Sequence, residues 1–202
     1  MPTDSPGFSV PFYWWTFNMP TDHGGEVLLE NVRVPADAVL GEVDRGGLEV
    51  GQTFLHENRI RQAASSLGAA QYCIDRAVAY AGQRSVFGKP LAVNQAVQWP
   101  LVELQTEAQM VRLLVRYAAS ELDRNHHMEV SDKVSMANYR ANRLVCEAAD
   151  RAMQVFGGGV GYSRHEPFEH IYRHHRRYRI TEGAEEIQIR RVAQRLFGFG
   201  RR

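Results

Sequence analysis

The spacing of apolar positions changes once along the chain, near residue 46. Before it, short runs are punctuated by Pro2, Pro6, Pro11, Pro20 and Pro35 and by Gly7, Gly24, Gly25 and Gly41. Such punctuation reads as strands and turns. The aromatic-rich Phe8 to Phe17 and the weakly alternating Glu26 to Val34 predict two strands, around 8–17 and 26–33. Two strands do not make a stable sheet in water. Trp14, Trp15 and Phe17 are therefore expected to pack on something else: the helices, another subunit, or strands of a larger sheet.

From Leu48 the period becomes about 3.6. A first helix is predicted over about 48–84, with Phe54, Ile60, Ala64, Leu67, Ile74 and Val78 as its stripe. Gly68 and the neighbouring alanines Ala63, Ala64, Ala69 and Ala70 would let another helix approach closely. Phe87-Gly88-Lys89-Pro90 breaks the pattern. A second helix follows over about 91–125, with Val97, Leu101, Leu104, Val111, Leu114 and Val115 inward and Pro100 kinking it or marking its first turns. A third covers about 130–156 and ends in glycines, a short piece covers about 166–172, and a last helix covers about 184–196. The fold class expected is mainly α: an up-down four-helix bundle over 47–202, preceded by a short β region over 1–46.

Composition narrows the function classes little. A net charge of +1 gives no global attraction to nucleic acid or to an acidic membrane. The two cysteines, Cys73 and Cys146, both sit in helical patterns, which fits a reducing compartment better than a disulfide framework. No apolar run nears the ~20 residues of a bilayer span, and MPTDSPGF has no signal-peptide pattern, so a cytoplasmic location is expected. No Glu-x-x-His occurs, and His126-His127 and His174-His175 are adjacent pairs that diverge on a helix, so no metal site is expected.

Candidate chemistry concentrates in Arg173 to Arg191, RHHRRYRITEGAEEIQIRR. Glu182-Gly183 falls where a new helix should begin. A carboxylate there can be a general base in a dry site, or simply an acidic residue at a helix N-terminus. The cations Arg173, His174, His175, Arg176, Arg177 and Arg179 read as a solvated face or as an anion site. Gly157-Gly158-Gly159-Val160-Gly161 follows a helix rather than a strand, so it is a helix C-terminus or a close approach to a flat or phosphate-bearing ligand, not a dinucleotide fingerprint. Arg84 to Leu91 is an interhelical turn with two cations and a buried-looking Phe87, in which Arg84 could meet a phosphate.

Seven of these motifs occur in a family-like order. They are Asn31-Val32-Arg33-Val34-Pro35 with Leu40-Gly41-Glu42; Arg59 with Gly68-Ala69-Ala70-Gln71; Arg84 with Phe87-Gly88-Lys89-Pro90-Leu91; Gln95; Gln154-Val155-Phe156-Gly157-Gly158 with Gly161; Arg173; and Glu182-Gly183. In this the chain resembles the C-terminal part of the acyl-CoA dehydrogenase family, over nearly its whole length. The resemblance implies the tail of a middle β-domain followed by a helical bundle, in a dimeric or tetrameric FAD enzyme that oxidises an acyl-CoA substrate. Electron-transferring flavoprotein is a possible acceptor. By position Glu182 matches the base that takes the α-proton, while a hydride leaves the β-carbon for the flavin. The backbone at Glu182-Gly183 would contact the thioester carbonyl, and Arg59 matches an arginine near base and substrate. Arg84, Phe87, Gln95, Gln154, Phe156, Gly157 and Gly158 match residues that hold the FAD of a neighbouring subunit.

Some family members carry the base just before the arginine matching Arg59; here that position is Asn58, which cannot serve. Two departures stand out: Gly183-Ala184 replaces a frequent Gly-Thr, and Glu185-Glu186 fall where flavin contacts are expected. The resemblance also implies that an N-terminal helical domain and most of the β-domain are missing, so this chain alone is expected to bind FAD weakly and turn over poorly. The alternative is a non-catalytic bundle that assembles with a separate chain supplying those domains.

Overall fold

A computed structural model describes residues 1–17 and 24–199. Pro20, expected at a turn, lies outside the described residues. Two compact units are present, Met1–Phe54 and Leu55–Arg202.

In the first unit β1 (Phe8–Trp14) pairs antiparallel with β2 (Gly24–Leu29), from Phe8 opposite Leu29 to Trp14 opposite Gly24. The register is irregular between Ser9 and Phe12, around Pro11, which has no N–H for the ladder. The second strand starts and ends earlier than the alternation predicts. Asn31, just past its end, takes a left-handed φ of 53°, which an extended strand cannot accommodate. Phe12 and Trp14 point to one face and meet edge-to-face at 5.0 Å. Both are exposed, and so are Tyr13, Trp15 and Phe17. A π-type turn over Gly47–Gly51 leads into the first helix.

In the second unit α1 (Gln52–Gln83), α2 (Gln95–Arg124), α3 (Ser131–Phe156) and α5 (Glu185–Leu196) form the bundle. Their directions follow from cross-helix pairs. Gln62 and Ser66 on α1 bond Asn138 and Asn142 on α3, so these two helices run parallel. Glu107 and Glu121 on α2 meet Arg140 and Lys133 on α3, so α2 runs the other way. The core uses small residues where the helices are closest: Ala63, Ala70 and Ala77 on α1, Ala108 and Ala118 on α2, and Ala141, Ala148 and Ala149 on α3. A short α4 (Phe168–Arg176) drops Phe168, fully buried, beside Phe156 at 4.9 Å, and Phe156 in turn stacks on Tyr80 at 4.1 Å. Pro100 sits inside α2, where its missing N–H leaves the Ala96 carbonyl without its usual helical donor. No helix among the described residues is long and apolar enough to cross a membrane.

Four sequence expectations are corrected. The buried stripe of α1 is rotated: Leu67 and Ile74 are inside, but Phe54, Ala64, Gly68 and Val78 are exposed, and His56, Arg59, Gln62 and Ser66 are buried instead. Counting apolar residues misses polar side chains that bury once they are paired. Gly68 therefore makes no close helix contact. Secondly, Phe87 is fully exposed. It occupies, with Gly88, the tip of a tiny hairpin (β3, Ser85–Val86; β4, Lys89–Pro90) in which both tip residues have positive φ, 50° and 78°. Thirdly, α4 extends to Arg176, further than the expected 166–172. Lastly, the cationic row is not a solvated face: His175 is buried, and Arg173 donates from Nε to Glu169 Oε2 at 2.6 Å. Burial pushes the His175 imidazole down to about 4.

The glycine run divides by position. Gly157 caps α3 with φ 77°. Gly158 and Gly159 face open space, whereas a Cβ on Gly161 would lie 2.7 Å from both Met153 O and Phe156 Cβ. Gly161→Ala is therefore expected to lower stability by about 2 kcal/mol, and Gly159→Ala to change it by less than about 0.5 kcal/mol. Urea denaturation of the two variants checks this.

Candidate active site

The loop between α4 and α5 carries Glu182, and three elements hold it. Its φ is 58°, a left-handed conformation that costs a long side chain about 1 kcal/mol or more. The strain is held by bonds to its carbonyl: Arg59 donates from Nε at 2.9 Å and from Nη2 at 2.6 Å, and Gln188 Nε2 donates at 2.9 Å. Gln188 also reaches Gly183 O at 3.0 Å. Gly183 follows at φ 91°, where a Cβ would crowd Arg59 Nη2 at 3.3 Å and Gln188 Nε2 at 3.4 Å. The adjacent Thr181 hydroxyl accepts from Gln62 Nε2 at 3.3 Å.

The Glu182 carboxylate is half-buried, and Asn58 Nδ2 donates to its Oε1 at 2.6 Å. The partner is thus a side-chain amide from α1 rather than the helix N-terminal N–H groups the sequence suggested. Nor does Glu182 cap α5: Ala184 is the N-cap residue and makes no side-chain capping bond. No acceptor among the described residues takes the Glu182 N–H. Arg59 itself is 3% exposed, and its pKa is lowered to about 10 by burial and by repulsion from Arg191, partly offset by Glu182. It therefore remains a cation at neutral pH.

Glu185, the first residue of the last helix, does not point to a ligand. It is buried and accepts two forked guanidinium contacts, from Arg179 at 2.8 Å twice and from Arg143 at 3.2 Å twice. The Arg179 bond, helped by Arg143, outweighs burial and holds the carboxyl at about 2. This ties the start of α5 to α3 and leaves only Glu186 exposed.

The other sequence-predicted residues gather at the far end of the bundle. Arg84, Phe87, Gln95, Gln154 and Gly158 are exposed there, Gly157 is half-buried, and Phe156 is buried against Tyr80. The ends of α1 and α3 meet through that stack, and Leu91 N donates to Arg84 O at 2.7 Å, bringing the start of α2 alongside. Arg59 and Gln83 are 24 residues apart on one helix, so the two groups are separated by about 36 Å at 1.5 Å per residue. Among the described residues no group of three or more His, Cys, Asp or Glu is placed to hold a metal.

Two contributors were missed in the sequence: Asn58, dismissed because it cannot be a base, and Gln188. The signal for Gln188 was its place one turn past Ala184, on the inner face of α5. For Asn58 the only signal was adjacency to Arg59, since only folding brings it to a residue 124 positions away.

The sequence pattern described as acyl-CoA dehydrogenase, C-terminal domain, matches residues 45–197. The chain belongs to the acyl-CoA dehydrogenase family. An acyl-CoA dehydrogenase of Bacillus subtilis is 33% identical over 195 residues, covering 96% of this chain and 50% of that protein. A 3-(aryl)acrylate reductase of Clostridium sporogenes is 36% identical over 189 residues, 90% of this chain and 49% of that one. Among solved structures, a glutaryl-coenzyme A dehydrogenase with glutaryl-CoA superposes with a TM-score of 0.88 at 31% identity, over 98% of this chain and 49% of that one. The butyryl-CoA dehydrogenase of Megasphaera elsdenii gives 0.85 at 28% identity, over 98% and 50%. This member of the acyl-CoA dehydrogenase family thus spans about half the length of the relatives it matches.

The Glu185 clamp has a signed consequence. Its folded pKa lies below the ordinary value of 4.5, so its stabilisation is present above pH 4.5 and is lost as pH falls toward 2. Glu185→Gln should cost about 2 kcal/mol at pH 7, leaving two arginines without their acid. In urea melts against pH the gap to the wild-type chain should close between pH 4.5 and 2.

Proposed function

We propose that this chain supplies the catalytic base of an FAD-dependent α,β-dehydrogenation of an acyl-CoA thioester. The observation that carries the reading is Glu182 itself. It is a carboxylate held at positive φ by Arg59 and Gln188, half-buried, with a backbone N–H left without an acceptor. Strain of this kind persists where surrounding groups over-determine it, as at functional sites. Glu182 would take the α-proton of the thioester. The unused Glu182 N–H would donate to the thioester carbonyl, where negative charge develops as that proton leaves. Arg59 acts by fixing the loop, and Gly183 permits the backbone to approach the substrate. FAD, when bound, supplies the hydride-accepting chemistry at the β-carbon, which gives a trans-enoyl thioester.

The residues for FAD fit the group in part. Arg84, Gln95 and Gln154 are exposed polar groups at one end of the bundle, and Gly158 faces open space. Phe87 holds a fully exposed ring at a strained φ, the same signature as Glu182. Phe156 is committed to its stack on Tyr80, so it would shape the site from beneath rather than meet the cofactor. Because the base lies about 36 Å of helix away, these residues would serve the flavin of a neighbouring copy. That implies a homo-oligomer, with residues 1–46 belonging to a middle β-domain. Acyl chain length, the direction in which the reaction runs and the electron acceptor, with electron-transferring flavoprotein one choice, are set by what binds around this frame.

The second reading is a non-catalytic bundle that assembles with a separate chain supplying the parts of its relatives that this chain does not span. It is favoured by the exposed aromatic hairpin, where Trp15 is 84% exposed. Strand pairs with open edges and apolar faces seek partners.

The test is flavin absorbance after incubation with FAD, followed by anaerobic addition of a medium-chain acyl-CoA, with and without a polypeptide covering the half of its relatives that this chain does not span. Bleaching is expected in the reconstituted sample and should fall at least about 1,000-fold in rate in Glu182→Gln. Equal bleaching in that variant would sink the assignment of the base. Phe87→Asn should raise stability by about 1 kcal/mol, since Asn tolerates positive φ, while weakening flavin retention; thermal melts and flavin titration check the two effects separately.

A further inference from the structure

Asn58 is the one side chain among the described residues that hydrogen-bonds the Glu182 carboxylate, at 2.6 Å. It is half-buried on α1 and immediately precedes Arg59. The two neighbours divide the loop between them: Arg59 takes the carbonyl of Glu182 and Asn58 takes its carboxylate. The second carboxylate oxygen, Oε2, has no partner among the described residues. An amide N–H can only donate, so the contact is made with an ionised or acceptor oxygen, and it leaves the other oxygen for chemistry.

We propose that Asn58 is a positioning residue for Glu182, fixing the rotation of its carboxylate through Oε1 so that Oε2 is the atom that receives the proton. The proposal rests on the reading of Glu182 as the base. Asn58 touches no reacting atom in this scheme and acts through Glu182 alone.

The charged and titratable groups around the contact are few. Arg59 on α1 is committed to the loop carbonyl, and Arg191 on α5 acts on Arg59 and on His127 of the α2–α3 connection. Glu57 on α1 is exposed and faces Arg61. Glu185 is turned to Arg143 and Arg179, and Glu186 is exposed. From α3, the neutral Asn138 bonds Arg59 O at 3.0 Å. Asn58 is thus the direct hydrogen-bond partner through which α1 can bias the carboxylate. Asn58→Ala removes the donor, and Asn58→Asp keeps the shape while replacing the donor by a like charge.

Two readouts separate this proposal from the one it rests on. The first needs no catalysis: carbon-13 carboxyl NMR of the full chain, with the Glu182 signal identified by its loss in Glu182→Gln. The position of that signal at neutral pH is expected to move in Asn58→Ala and further in Asn58→Asp, since the first loses the donor and the second places a like charge there. The second is turnover of the reconstituted FAD enzyme. There kcat should drop roughly tenfold in Asn58→Ala with KM within about twofold. An unmoved carboxyl signal in both variants, with helical circular dichroism retained, overturns the proposal. A moved signal with unchanged kcat also overturns it, because the bond would then be structural only. Full activity in Glu182→Gln overturns instead the assignment of the base, and the proposal with it.

Discussion

The loop that carries Glu182 is placed by a chain of amides buried between α1 and α3. Asn138 Nδ2 donates to the backbone carbonyl of Arg59 at 3.0 Å and to Gln62 Oε1 at 3.2 Å. Asn142 Nδ2 donates to Asn138 Oδ1 at 3.2 Å and to Tyr178 O at 2.9 Å, and Ser66 Oγ donates to Asn142 Oδ1 at 2.8 Å. Each of these groups would cost about 1–3 kcal/mol if left buried without its partner. The two helices are therefore locked in one register, since sliding either by a turn would break several bonds together. The same chain ends on Tyr178, four residues before Glu182, and on Arg59, which grips Glu182 from the other side. Helix register and loop position are one constraint.

That constraint is what allows backbone strain to be stored. Among the positive-φ residues, Asn31 and Asp44 are of the types that tolerate the conformation, while Glu182 and Phe87 are not. Glu182 is held by Arg59 and Gln188. Phe87 is held by its two-residue hairpin, with Ser85 opposite Pro90 and Val86 opposite Lys89. The two strained residues stand near opposite ends of α1, and the residues that resemble a flavin-holding set surround only one of them. In the proposed function a single bundle would hold the base and the flavin-holding set too far apart to meet, which is the physical argument there for an assembly of copies.

Electrostatics around the loop favours order over openness. Of the basic residues from Arg173 to Arg179, two are held in ion pairs. Arg173 is spent on Glu169, and Arg179 together with Arg143 on Glu185. His175 is kept neutral by burial. Arg59 lies in the interior beside Arg191, and its attraction to Glu182 lessens a cost that burial and repulsion impose. The acids at 169 and 185 therefore do the stabilising, and Glu182 keeps its carboxylate out of every ion pair described.

Much of this was legible in the chain of letters. The switch of period near Leu48 marked the bundle, because apolar burial at 3.6-residue spacing is a local property of a helix face. The order of Arg59, Arg84, Phe87-Gly88, Gln154 to Gly158 and Glu182-Gly183 pointed to the family. Glycine and proline marked the breaks, because φ restrictions are local too. Other features were decided only by tertiary structure. Which face of α1 is buried depended on Asn138 and Asn142 accepting polar neighbours from a helix some 75 residues away, as with Ser66 and Asn142. The exposure of Phe87 depended on a turn whose tip points away from the helices. The pairing of Asn58 with Glu182 across 124 residues, and of Glu185 with two arginines, is a matter of directional hydrogen bonds between distant segments. Such bonds leave no periodic trace, and they exist only once packing has brought donor and acceptor within reach.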